Sequence, residues 1–338
     1  MTEQPSPLVA AQLKFQQALP KNVLSSETVS LAHATTRVLA QDIEAQADSP
    51  PYPRSIVEGF LVVTEETQPA CNETPITFKI KGKISPNDEH VIIPEPGEGV
   101  EVATGSILPE GSYSIVRMWE AKLDKDSFTI TRAFPPRFFI EEQGCDIKKG
   151  DIFITAGTRL TASHIGALAS LGINEVMAVK SPRVAIFASG DEVIPHTSPA
   201  RKGAIFDCNS PMLAAAVTTS GGLASLQGIQ SDDFATFVAN VKNALASSDM
   251  ILISGGTAVG GRDFISDLIK EVGELIVDGV QMRSGRPLIM GLAGNKPIIC
   301  VAGHPPEALR GFKLFGILAL DKISGINAAL PTENSPEN

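Results

Sequence analysis

The chain has 338 residues, too many for one ordinary core, so two or three domains are expected. Its 43% hydrophobic and 20% charged residues fit a soluble globular protein. A net charge of −10 argues against nucleic-acid or anionic-membrane partners, which need a basic surface, but leaves an anionic small ligand open.

The opening MTEQPSPLVA has no basic segment leading into an apolar core, so no signal peptide is expected, and no apolar run reaches membrane-spanning length. Cys71, Cys145, Cys208 and Cys300 form no CxxC pair and none lies at ligand spacing from a histidine. That usage points to reduced thiols and a cytoplasmic location.

LVAAQLKFQQAL near the start places Leu8, Leu13, Phe15 and Leu19 at roughly helical spacing. The helix formers and apolar stripe of VSLAHATTRVLAQDI (29–43) predict a second helix, before prolines 50, 51 and 53 mark a boundary. ITFKIKGKI (76–84) and YSIVRMW (113–119) alternate apolar and polar residues between Pro/Gly/Asp/Asn turns, the pattern of a small β-rich domain. TASHIGALASLG (161–172) reads as a helix capped by Thr161 and stopped at Gly172.

From residue 181 the pattern becomes regular. RVAIFAS (183–189), LASLQGI (223–229) and MILIS (250–254) are strands, and RPLIM with KPIICVAG form a strand pair. Helices intervene: one opened at Asn209-Ser210-Pro211 with Ser210 as cap and stopped at Gly221-Gly222, one opened by Asp232-Asp233, one capped by Asp263, and a last one from Pro305-Pro306. Alternating strands and helices predict a mostly parallel sheet covered on both faces, with ligands at the carboxyl ends of its strands. The polar tail after Gly325 is expected to be disordered.

Three glycine loops fall where that rule puts a ligand: Ser189-Gly190-Asp191-Glu192, the stretch from Ser254-Gly255-Gly256 to Gly261, and Ala302-Gly303-His304-Pro305. Glycine lets backbone amides approach an anion, and helix N-termini add partial positive charge, so a phosphorylated ligand fits. None matches a Walker or dinucleotide motif. Asp191 and Glu192, adjacent acids directly after a buried strand, are hard oxygen ligands suited to Mg²⁺ bridging to a phosphate. Asp263 reads equally as a ligand or as a helix cap. Arg283 and Arg286 form a cationic turn that is either an oxyanion clamp or a solvated turn.

Taken together, AGTRLTASHIGALASLGINEV (156–176), RVAIFASGDEV (183–193), IFDCNSPML (205–213), ISGGTAVGGRDF (253–264), MRSGRPL (282–288) and AGHPPEAL (302–309) resemble one family: the MoeA-type molybdopterin molybdenumtransferases, related to the C-terminal domain of gephyrin. The resemblance implies Mg²⁺-assisted insertion of molybdenum from molybdate into adenylylated molybdopterin, with release of AMP. It implies a homodimer, and contact with a molybdenum enzyme or other cofactor-biosynthesis proteins. Residues 181–325 would be a MogA-like molybdopterin-binding α/β domain. Residues 1–48 and 146–180 would form an elongated α+β dimerisation region, with 49–145 inserted as a β-rich domain and 326–338 as tail. By the same resemblance, Glu192, Glu58, Asp146 and Thr104 would carry catalysis, and Asp191 and Glu192 the metal. Gly190, Asp191, Asp207, Asn209, Ser254, Gly255, Gly256, Asp263, Arg283, Arg286, Gly303 and Pro305 would bind the pterin substrate.

The departures are specific. The family's Pro-Pro-Phe-Asp-Asn-Ser-Ala-Met-Asp-Gly-Tyr motif reads Pro50-Pro51-Tyr52-Pro53-Arg54-Ser55-Ile56-Val57-Glu58-Gly59-Phe60, which puts Glu58 where the family has aspartate. Cys208 replaces a serine and Arg283-Ser284-Gly285-Arg286 replaces Lys-Pro-Gly-Lys, and no counterpart is expected for the small β-domain usual after the last helix. The alternative implied by this drift is a non-catalytic carrier of molybdopterin or of the finished cofactor.

Overall fold

The structure, a computed structural model, describes residues 5–20, 23–231, 233–255, 262–282, 285–326 and 330; of residues 262 and 263 it describes the backbone alone. It divides into two compact units, one of residues 1–41, 155–165 and 174–338, the other of 42–154 and 166–173.

The larger unit is built on a six-stranded sheet. Its strands are β1 (Arg183–Ser189), β2 (Leu223–Gln230), β3 (Met250–Gly255), β4 (Glu274–Met282), β5 (Gly285–Ala293) and β6 (Lys296–Val301), ordered β2-β1-β3-β6-β5-β4. The first four in that order are parallel, and β5 and β4 close the sheet antiparallel. The continuous apolar run of β1 is explained by burial on both faces. Val184 and Ile186 pack with Leu213 and Val217 of the helix Asn209–Thr219. Ala185 and Phe187 pack on the other side with Phe237 and Val241 of Phe234–Ser247.

The helix expected at the N-terminus is Pro7–Ala18. Ser6 accepts the Val9 amide and Pro7 occupies the first turn, where its missing N–H costs nothing. Phe15 and Leu19 are buried in the same core as Val184 and Phe315. Helix Ala162–Ser170 follows Thr161, whose amide and hydroxyl both meet His164 Nδ1 at 3.1 Å, and Gly172 takes φ +72° just beyond its end. Asp233 caps Phe234–Ser247 by accepting the Thr236 amide at 2.8 Å; Asp232 lies outside the described residues.

Three expectations are corrected. Residues 29–43 are not a helix. Strand Ser26–Ser30 and the pair Val38–Leu39 flank Glu175–Val179 in an antiparallel sheet, and Thr36 sits at φ +67°, which no helix tolerates. The apolar spacing there serves cross-strand partners more than a hundred residues away. Ser210 does not cap its helix but lies inside it; Asp207 Oδ1 accepts the Ser210 amide at 3.0 Å instead. Asp263 is the second residue of helix Arg262–Val272, inside the helix rather than at its cap. Of the tail, Ile326 and Leu330 alone are described, and Leu330 packs against the α/β core.

The smaller unit holds a second six-stranded sheet, ordered Tyr113–Arg117, Gly59–Val63, Glu98–Val102, Ile76–Ile84, Ser127–Ile130, Lys122–Leu123. Alternation decides its two faces. Phe60 and Val62 point to a core with Phe78 and Phe128, where the Phe60 and Phe128 rings stack at 4.1 Å; Leu61 joins Val100 and Ile115 opposite. Among the described residues no helix is long and apolar enough to cross a membrane.

Candidate functional site

The chain leaves β1 for β2 on one side and returns to β3 on the other, so the carboxyl ends of β1 and β3 flank the topological switch point of the sheet. Ser189 and Gly255 are register partners there. Gly255 has φ +91°, and a Cβ added to it would lie 2.5 Å from the Ser189 carbonyl oxygen, so no larger residue fits. Asn209, at the start of its helix, ties the loops together: Nδ2 donates to Ser254 Oγ at 2.8 Å and to the Gly303 carbonyl at 2.7 Å. Gly303 approaches Gly255 closely, since a Cβ on it would stand 3.7 Å from the Gly255 Cα. Pro305 then opens the last helix.

Gly190 takes φ +141°, and its missing side chain makes room for the Glu192 carboxylate, whose Oε2 would be 2.8 Å from a Cβ there. Asp191 and Glu192 are exposed. A short parallel ladder of Val193–Ile194 with Ile205–Phe206 fastens their turn to the segment bearing Asp207, through Ile205 N–H to the Glu192 carbonyl at 2.9 Å and Asp207 N–H to the Ile194 carbonyl at 2.8 Å. The larger unit thus gathers Gly190, Asp191, Glu192, Asp207, Asn209, Ser254, Gly255, Gly303 and Pro305 onto the loops at one edge of its sheet. Arg286 is turned to its own hairpin, where it donates to the carbonyls of Asp278 and Gly279 at 3.2 and 2.7 Å. Gly256, Arg283 and the Asp263 side chain lie outside the described residues.

The other predicted residues belong to the smaller unit. Gly59 pairs with Val102, so Glu58 and Thr104 both lie just beyond the same end of these two paired strands. The turn of Thr104 is held from the same side, where the Gly105 amide donates to the Ser55 carbonyl at 2.7 Å. Glu58 and Thr104 are both exposed. Asp146 lines a cavity of about 580 Å³ together with Ser49, Pro50 and Arg54. It also stands with Glu141 and Cys145, their ligand atoms within 4.8 Å of one another. Burial pushes the Cys145 thiol up, reinforced by the charges of Asp146 and Glu141, while Arg54 pairs with Glu141.

Two hydroxyls were not singled out as ligands by the sequence. Ser189 Oγ and Ser210 Oγ are buried without a hydrogen-bond partner among the described residues, at the end of β1 and in the first turn of the Asn209 helix. A buried hydroxyl left unpaired costs about 1–3 kcal/mol, which a ligand can recover. No sequence signal separates them from capping serines. Cys300, by contrast, is fully buried, its thiol pushed up to about 12 by burial, and it is inert core.

Residues 8–172 match the model of the MoeA N-terminal region (domain I and II), and residues 185–322 the one described as "Probable molybdopterin binding domain". A molybdopterin biosynthesis protein of Methanocaldococcus jannaschii is 30% identical over 311 residues, 89% of this chain and 75% of the relative. The chain belongs to the MoeA family. The molybdopterin molybdenumtransferase of Staphylococcus epidermidis is 28% identical over 312 residues, 92% of this chain and 74% of the relative. Among solved structures, a molybdopterin biosynthesis MoeA protein from Pyrococcus horikoshii OT3 superposes with a TM-score of 0.70 at 27% identity, covering 96% of this chain and 80% of the other. A second structure of a MoeA protein from Pyrococcus horikoshii gives 0.66 at 28%, with 96% and 81% covered. These likenesses bear out the expected fold, an α/β domain with a mostly parallel sheet joined to an N-terminal region.

Proposed function

We propose that this chain is a molybdopterin molybdenumtransferase, which inserts molybdenum from molybdate into adenylylated molybdopterin and releases AMP. The observation that supports this reading best is the β1–β3 switch point: glycine loops clasped by Asn209, two exposed acids, and two buried hydroxyls without partners among the described residues. Backbone amides of the glycine loops and the amino end of the Asn209 helix would take the anionic groups of the pterin substrate. The hydroxyls of Ser189 and Ser210 would complete its hydrogen bonds.

Asp191 and Glu192 fit a Mg²⁺ ion of the kind held by one or two carboxylates and completed by substrate phosphate. When bound, the ion supplies positive charge against the phosphates and eases departure of AMP. Gly190 leaves the Glu192 carboxylate free to turn toward such an ion. Glu58, Asp146 and Thr104 supply carboxylates and a hydroxyl for orienting the reacting groups. Residues 49–145 act as an inserted β-rich domain in this reading, residues 1–48 and 146–180 as a dimerisation region and 181–325 as the pterin-binding domain. The working form is a cytoplasmic homodimer.

The test is reconstitution. Full-length protein mixed with adenylylated molybdopterin, molybdate and Mg²⁺ should release AMP, and Glu192→Gln should release far less. Tight pterin binding without AMP release would sink the enzyme reading and establish the carrier that Glu58 and the other substitutions imply.

A further inference from the structure

The sequence holds a single tryptophan, Trp119, and it is in no core. It is 70% exposed, the most exposed large apolar side chain among the described residues. Leaving an indole in water forfeits one of the largest burials a residue can offer, so an indole held in place there invites a functional reading.

It is held in place. The 3₁₀ turn Met118–Glu120 fixes its backbone. The Arg117 guanidinium carbon lies 4.9 Å from the indole centroid and 4.8 Å from the centroid of Phe139. Glu120 in turn fixes Arg117 through Nε at 2.7 Å and also pairs with Arg132, which sits over Phe134. The indole is therefore a braced plate with most of its surface open.

The position of that plate gives it a use. Gly59 is the register partner of Arg117 on one side and of Val102 on the other, and the Met118 amide donates to the Glu58 carbonyl at 3.2 Å. Three neighbouring strands thus bring Trp119, Glu58 and Thr104 to one edge of the smaller unit's sheet. An aromatic plate at the same end of the sheet as an exposed carboxylate and hydroxyl matches a nucleotide, whose flat base stacks while its sugar and phosphate take polar contacts.

We propose that Trp119 is the stacking platform for the adenine ring of the adenylylated substrate, bound at the sheet edge that carries Glu58 and Thr104. This rests on the transferase reading above and assigns a binding role to a residue that reading does not use.

The lone tryptophan is its own reporter. AMP with Mg²⁺ is titrated into the full chain, followed by calorimetry for the native protein, Trp119→Phe and Trp119→Ala, and by tryptophan fluorescence for the native protein, the one form of the three that keeps the indole. The expected result is saturable quenching with the calorimetric Kd. Trp119→Phe should stay within about threefold of the native affinity, while Trp119→Ala weakens it about tenfold or more, with Tm unchanged in both. AMP binding that leaves fluorescence unmoved and is the same in Trp119→Ala would overturn the platform while leaving the transferase reading intact. Dependence on Trp119 for 6-hydroxymethylpterin but not for AMP would overturn the adenine assignment. No AMP binding by calorimetry in any form, together with no AMP release in reconstitution, would overturn both.

Discussion

Glu120 shows how one residue can set the stiffness of a surface. Its carboxylate accepts from Arg117 and pairs with Arg132, each of which lies over aromatic rings. The Arg117 hydrogen bond, with Arg132 adding to it against the cost of burial, lowers its pKa from the ordinary 4.5 to about 2. A carboxylate depressed in the fold contributes stability that is complete above its unfolded pKa and is lost as pH falls through the folded value. Urea midpoints of the native protein should therefore fall between about pH 4.5 and 2, and Glu120→Gln should flatten that slope. Equal slopes for the two proteins would show that the pair adds nothing to the fold. At this scale the sequence was informative about identity and silent about geometry. The motifs named Asn209 and Ser254, but nothing in their spacing said that one amide would bind both Ser254 Oγ and the Gly303 carbonyl. Trp119 was read only as the end of a strand, because exposure is a tertiary property.

Elements were legible where their pattern depends on local chemistry. The apolar run of β1, the Asp233 cap and the Gly172 stop are all written within a few residues of where they act. Residues 29–43 were not, because their apolar spacing answers to Glu175–Val179. Strand β4 escaped notice for a related reason: its register with β5 shifts three times, so its alternation is broken. The glycine at the end of β3 gives the sharpest element-scale prediction. Gly255→Ala forces an L residue to φ +91° and drives a methyl against the Ser189 carbonyl, parting β1 from β3 where the ligand loops begin. The variant should lose roughly 2 kcal/mol or more in denaturant unfolding and should raise the KM for adenylylated molybdopterin. Native stability in this variant would mean that the loop can leave the left-handed region at no cost, and the close approach would then have no structural weight.

At the scale of the whole chain, neither unit is continuous in sequence. The larger one joins residues 1–41 to residues from 174 onward, and its first helix illustrates the consequence. Helical periodicity in LVAAQLKFQQAL predicted the helix but could not name its partner. The structure packs Pro7–Ala18 against β4, with Gln12 Nε2 donating to the Leu314 carbonyl at 3.2 Å and the Phe15 ring 6.2 Å from that of Phe315. Phe15 is fully buried, so Phe15→Ala removes a core side chain contributed by the first residues of the chain to a sheet that begins at 183. The expected cost is about 3–5 kcal/mol, because the surrounding core closes a phenyl-sized cavity only in part. The location of the damage is more telling than its size. Amide hydrogen exchange should quicken in β4 and in the helix from Pro305, which pack around Phe15, while Gly59–Val63 in the other unit keeps its native protection. Equal loss of protection in Gly59–Val63 would mean that the two units open as a single cooperative block, and the division between them would then describe contacts but not folding.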